Sequence, residues 1–173
     1  AIGLVGSEMC IRDSFYWFEE PMDESSMSSY KWLSDQLDIP VIGPETMTGK
    51  ISTRAEWIKN DVVDILRGGV GDLGGLTPLM KVAHLAESFN MAMEVHGGKE
   101  GNLHALGSMR LPGEFYERGL LHPHVDYEKP PDYLNEIMDP MDEDGFIHMP
   151  KGDGLGWNIN HDYINDNLIS SDD

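Results

Sequence analysis

Residues 62–78 read Val62-Val63-Asp64-Ile65-Leu66-Arg67-Gly68-Gly69-Val70-Gly71-Asp72-Leu73-Gly74-Gly75-Leu76-Thr77-Pro78. An apolar run ends in an arginine, a glycine-rich loop follows, and Thr77-Pro78 starts a helix with Pro at its first helical position. Behind that start, Leu79, Val82, Ala83, Ala86 and Phe89 line one helical face. Strand, loop and helix in that order form the repeating unit of a parallel α/β sheet. The apolar character of Val62–Leu66, and of Met91–Val95 further on, suits parallel strands covered on both faces.

Working outward, the same unit recurs. Strand-like stretches lie at Trp17-Phe18-Glu19-Glu20-Pro21, Val41-Ile42-Gly43-Pro44-Glu45, Asp64–Arg67, Met93-Glu94-Val95-His96 and Phe115-Tyr116-Glu117. Each ends in a side chain capable of chemistry. The steps from Glu19 to Glu45, Arg67, His96 and Glu117 are 26, 22, 29 and 21 residues, the length of one strand–helix unit with its loops. Between the strands, Ser29–Leu37 carries Trp32, Leu33 and Leu37 at helical spacing. Thr53 and Glu56 have the pattern of a capping box ahead of Trp57 and Ile58, and Asn102–Met109 gives a shorter helix. In a β/α barrel every strand's C-terminal end opens on one face, where active sites are built. The expected fold is therefore α/β, a partial TIM-type barrel. A complete barrel takes about 250 residues; this chain has 173.

Residues 1–14 stand apart. Leu4 to Ser14, LVGSEMCIRDS, reads as the in-frame translation of a transposon-based sequencing adapter, and the segment is set aside from the fold argument. The only cysteine, Cys10, lies there, so the remainder has neither disulfides nor thiol chemistry, in keeping with a reducing, cytoplasmic setting. The expected domains are a partial barrel over 15–119 and a C-terminal extension over 120–173. In the extension, Pro and Asp cluster and Tyr127, Tyr133, Phe146, Trp157 and Tyr163 argue for order. A net charge of −19 argues against nucleic acid and anionic membranes as partners. No apolar run is long enough to span a bilayer.

Taken together, Trp-Phe-Glu-Glu-Pro at 17–21, Ile-Pro-Val-Ile-Gly-Pro-Glu at 39–45, Gly-Gly-Leu-Thr-Pro at 74–78, Val-His-Gly-Gly at 95–98 and Tyr-Glu at 116–117 resemble the enolase superfamily. Within it, the likeness is to the mandelate racemase-like acid-sugar dehydratases. The resemblance implies roughly strands 4 to 8 of a (β/α)7β barrel, with Gly152–Gly156 as part of a return segment towards a capping domain. It implies Mg²⁺-dependent dehydration of aldonic or aldaric acids, through α-proton abstraction and enediolate stabilisation. Its alternatives are a non-catalytic superfamily member, or a racemase or epimerase of 2-hydroxy acids. The implied partners are a small acid-sugar substrate and, at full length, further copies in a homo-oligomer; the fragment alone is expected to be inactive.

Residue by residue, the resemblance makes Glu19 and Glu45 metal ligands and His96 the general base or acid. Glu117 becomes a hydrogen-bond donor to the enediolate, which needs a raised pKa, or else an ion-pair partner of Arg118. Arg67 is a substrate-carboxylate ligand or a structural salt bridge, and His104 a substrate contact. The family's usual dyad aspartate falls at Gly69; Asp72, three residues on, substitutes for it or the dyad is absent.

Overall fold

The structure is a computed structural model that describes residues 15–97, 101–111, 113, 115–118 and 129–169. The adapter-like segment, Tyr127, His122 and His124 lie outside these residues.

Among the described residues four parallel strands make the sheet: β1 (Phe18–Glu19), β2 (Val41–Gly43), β3 (Ile65–Gly68) and β4 (Met93–Val95). They stand side by side in chain order, with Phe18 opposite Val41, Ile42 opposite Ile65 and Leu66 opposite Met93. Parallel neighbours require crossovers, and helices supply them. These are α1 (Met27–Ser34), α2 (Lys50–Lys59), the short α3 (Val70–Leu73) and α4 (Leu76–Ser88), followed after β4 by α5 (Asn102–Ser108). Val41, Ile42, Leu66, Met93 and Val95 are buried, as expected for a covered parallel sheet. Leu79, Val82, Ala83 and Ala86 of α4 pack with Ile58, Leu66, Leu73, Met93 and Val95 into one core cluster. A second cluster gathers Tyr30, Val41, Trp57, Val62 and Val63, with the Tyr30 and Trp57 rings 4.9 Å apart.

Several local expectations change. Residues 115–117 are not a strand, and the sheet of the described residues stops at β4. Their side chains find other anchors: the Tyr116 hydroxyl donates to Asp139 at 2.9 Å, and Glu117 turns towards Gly97 and Arg67. Phe115 stays 49 % exposed, edge-on to Tyr16 and Trp17. The Thr53–Glu56 pattern is no cap: α2 begins four residues earlier, behind Gly49, and the Thr53 hydroxyl donates back to the Thr48 carbonyl. Gly49 has φ +82°, a left-handed conformation that favours glycine, and a Cβ there would crowd the Thr53 hydroxyl. Pro78 is the third residue of α4, not the first, still within the turn whose N–H groups need no helical acceptor. Phe89 is the C-cap of α4 and 60 % exposed, beyond the buried face.

In the extension the described aromatic side chains are not what is buried. Tyr133, Phe146 and Tyr163 are exposed, whereas Leu134 is buried. Order comes from bridges pairing Leu134 with Ile159 and Met141 with Ile147, from Asn135 donating to Asn158, and from Asn160 capping α6 (His161–Asp166).

Candidate active site

Parallel pairing in chain order brings the C-terminal ends of the strands together, and with them side chains far apart in sequence. Arg67, at the end of β3, is the centre. Its side chain is 3 % exposed, and Nη2 lies 2.8 Å from Glu19 Oε1 and 2.5 Å from Glu117 Oε2, while Nε lies 3.3 Å from Glu45 Oε2. His96 follows β4. Its Nδ1 is 3.0 Å from Asp72 Oδ2 and 3.2 Å from Glu45 Oε1. Six of the seven side chains singled out in the sequence thus form one connected group: Glu19, Glu45, Arg67, Asp72, His96 and Glu117.

The seventh, His104, is not among them. It lies on α5, in a small cavity lined by Gly101, Leu103, Tyr116, Met138, Pro150 and Trp157, and its buried Nδ1 has no hydrogen-bond partner among the described residues. His84 is exposed on α4, away from the cluster.

Gly69 is closely hemmed in by its neighbours. A Cβ on Gly69 would lie 2.6 Å from the His96 carbonyl oxygen and 2.8 Å from Asp72 Oδ2. No side chain fits there with this backbone, and one turn into α3 the Asp72 carboxylate takes up the place beside His96. Asn102 locks the arrangement: its side chain donates to the carbonyls of His96 (2.9 Å) and Gly97 (3.1 Å) and accepts from the Val70 N–H (2.8 Å).

Electrostatics set the protonation states. Burial pushes Glu45 up, against the pull of His96 and Arg67. Burial also acts to raise Glu117, but the Gly97 N–H at 2.9 Å and the Arg67 guanidinium hold it below the usual carboxylate range. In this arrangement Glu117 accepts from the Gly97 N–H and pairs with the Arg67 guanidinium. The Arg67 guanidinium, engaged by three carboxylates, serves as their counter-charge. Burial and a hydrogen bond to Glu24 push Glu20 up to about 8.

The donor set suits a hard divalent cation. Four carboxylates converge on one guanidinium and one imidazole, leaving negative charge in excess, and oxygen ligands are what Mg²⁺ prefers. Glu45, Asp72 and His96 each offer a ligand atom, all within 4.8 Å of one another. Glu19 is outside that group and meets the cluster through Arg67.

Sequence reasoning missed Arg54, Glu24 and Asn102. Arg54 left a signal: it lies three residues before Trp57 and four before Ile58, on the face of α2 that the core covers, where a charge requires partners. Glu24 and Asn102 sit in patterns that give no such signal.

Comparison with known proteins places this geometry in context. The enolase C-terminal domain-like family profile matches residues 7–163. The chain is 52 % identical to a D-glucarate dehydratase from Agrobacterium tumefaciens, solved in complex with magnesium, with a TM-score of 0.89 over 95 % of this chain and 42 % of that one. An arabinonate dehydratase of Saccharolobus solfataricus is 29 % identical over 105 residues, covering 56 % of this chain and 27 % of that enzyme. The chloromuconate cycloisomerase CbnB of Cupriavidus necator is 24 % identical over 155 residues, 84 % of this chain and 39 % of that one. The chain spans less than half the length of each of these relatives. With the profile covering nearly the whole chain and the strand-end cluster in place, the chain belongs to the enolase C-terminal domain-like family.

Proposed function

We propose that this chain is the C-terminal barrel portion of a Mg²⁺-dependent dehydratase of acid sugars, with aldaric acids such as glucarate as the first candidates. The observation that carries this reading is the 52 % identity to a magnesium-bound D-glucarate dehydratase across nearly the whole chain. The carboxylate cluster at the strand ends supports it.

In this reading Glu19 and Glu45 hold the cation, together with a ligand from outside the chain. When bound, Mg²⁺ supplies electrostatic stabilisation of the charge that develops on the substrate carboxylate as the α-proton leaves. His96 moves a proton. Its Nδ1 faces Asp72 at 3.0 Å, so Nδ1–H donates to that carboxylate and Nε2 keeps the lone pair for the substrate. Asp72 fixes the tautomer and steadies the imidazolium formed in the transfer. Arg67 spaces the carboxylates and offsets their mutual repulsion, and Glu117 orients Arg67. His104 has no part in this mechanism. The alternative of a non-catalytic relative drew on the glycine at position 69; the contact between Asp72 and His96 weighs against it.

The test is to recover the full-length parent and screen aldaric and aldonic acids for 2-keto-3-deoxy acid formation with and without Mg²⁺. Turnover of an aldarate that is lost on chelation and restored by Mg²⁺ is the expected result. No dehydration of any acid sugar by the folded, metal-loaded protein would overturn the reading.

A further inference from the structure

We propose that Glu24 and Arg54 are positioning residues for Glu45, gripping the loop that carries it from two sides. The inference rests on the reading of Glu45 as a metal ligand.

Residues 44–47 leave β2 and carry Glu45 into the cluster. From one side, Glu24 accepts the N–H donors of this loop. Its Oε1 takes the Glu45 N–H and, at 3.1 Å, the Thr46 N–H, while Oε2 takes the Thr46 hydroxyl at 2.6 Å. From the other side, Arg54 donates to the loop's carbonyls. Nη1 reaches Met47 O at 2.8 Å, and Nη2 reaches Pro44 O at 3.0 Å and Glu45 O at 2.5 Å. The backbone of Glu45 is thus held by two carboxylates, those of Glu24 and Glu20, at its N–H and by a guanidinium at its C=O.

Both groups are buried, Arg54 fully and Glu24 at 8 % exposure. Arg54 Nε has no partner among the described residues, so its burial is not fully compensated there. An apolar side chain at position 54 would fill the core of α2 without that desolvation cost. What an apolar residue cannot do is fix three carbonyls of one loop, those of Pro44, Glu45 and Met47. The hydrogen bonds go to the loop rather than to the helix, apart from a long 3.4 Å contact with Lys50 O. The planar fork of arginine reaches several acceptors in a set geometry, and lysine does not reproduce it. Groups that orient a ligand in this way are worth about 10- to 100-fold in metal affinity.

The test is a Mg²⁺ titration by calorimetry on the full-length parent, with the metal-free unfolding midpoint measured in parallel. Arg54→Lys and Glu24→Gln are each expected to weaken Mg²⁺ binding about 10-fold or more in protein that remains folded. Arg54→Lys should add little on a Glu45→Gln background, since its effect passes through Glu45. Parental affinity in the folded single variants, or full additivity with Glu45→Gln, would overturn the proposal and leave both residues as fold stabilisers. Should Arg54→Lys fail to fold, Glu24→Gln and the exposed Thr46→Val decide by the same criteria. If Glu45→Gln itself binds Mg²⁺ with parental affinity, the metal reading of Glu45 fails first, and this inference falls with it.

Discussion

His96 carries the heaviest chemical assignment, and its two nitrogens are unequal: Nδ1 is committed to Asp72 and Glu45. In the full-length parent, His96→Asn is expected to leave substrate binding intact and cut turnover by about 10²-fold or more. Keto-acid formation and α-proton exchange into deuterated water measure it, and parental exchange would make His96 structural. Asp72→Asn should lower the same rates by less, because it disturbs the tautomer rather than removing the base. Gly69→Ala should destabilise the protein by about 1–3 kcal/mol through overpacking against the His96 carbonyl, read as a drop in the unfolding midpoint. Glu20 gives a pH signature. Its folded-state pKa of about 8 lies above the ordinary 4.5, so between those values the native state holds the proton more tightly than the unfolded chain. Stability should fall as pH rises through that window. Glu20→Gln should flatten the slope, and an unchanged slope would exclude Glu20 as its source. At this scale the sequence was informative wherever a reactive side chain closed an apolar run. It was silent about Glu24 and Asn102, whose value comes from backbone groups they meet only after folding.

Element by element, the 3.6-residue pattern of α4 was legible up to Ala86 and failed at Phe89, because the helix ends there and the ring swings clear of the core. This gives a paired prediction. Leu79→Ala should cost about 2–5 kcal/mol of stability, as a fully buried leucine does. Phe89→Ser should change it by no more than about 0.5 kcal/mol, as at an ordinary surface position. Chemical denaturation of both variants checks the pair; a large loss at Phe89 would mean that the ring packs after all. The first four strands were legible from their apolar runs and even spacing. The fifth was not, because Phe-Tyr-Glu has strand-like composition, yet its tyrosine and glutamate are claimed by Asp139, Gly97 and Arg67. The start of α2 was misread because the deciding residue was a glycine with positive φ, not a side-chain cap.

For the whole molecule, parallel α/β architecture followed from the repeat of strand and helix, whereas the ordering of the extension by isolated bridges and asparagine side chains had no periodic signature to read. β1 and β4 are the outer strands of the described sheet, and Phe15, Tyr16 and Phe115 are each about half exposed beside them. Outer strands of that kind invite association unless something covers them. Residues 15–173 produced alone are therefore expected to be insoluble or molten, and a monodisperse product with a sharp unfolding transition would contradict that. The sheet has one further property: its spatial order is its chain order, each strand pairing with the one made just before it. Such a sheet can grow on the ribosome as units emerge, at about 5–20 residues per second. Glu19 and Glu45 then reach their places ahead of Arg67, which lies 22 residues behind Glu45. At that pace Glu45 waits roughly one to four seconds, and Glu19 roughly two to ten, for their counter-ion. On the full-length parent, where the preceding part of the barrel is already made, the nascent chain should turn protease-resistant only once Arg67 has left the exit tunnel, and stalled translation intermediates ending on either side of that point would display the step.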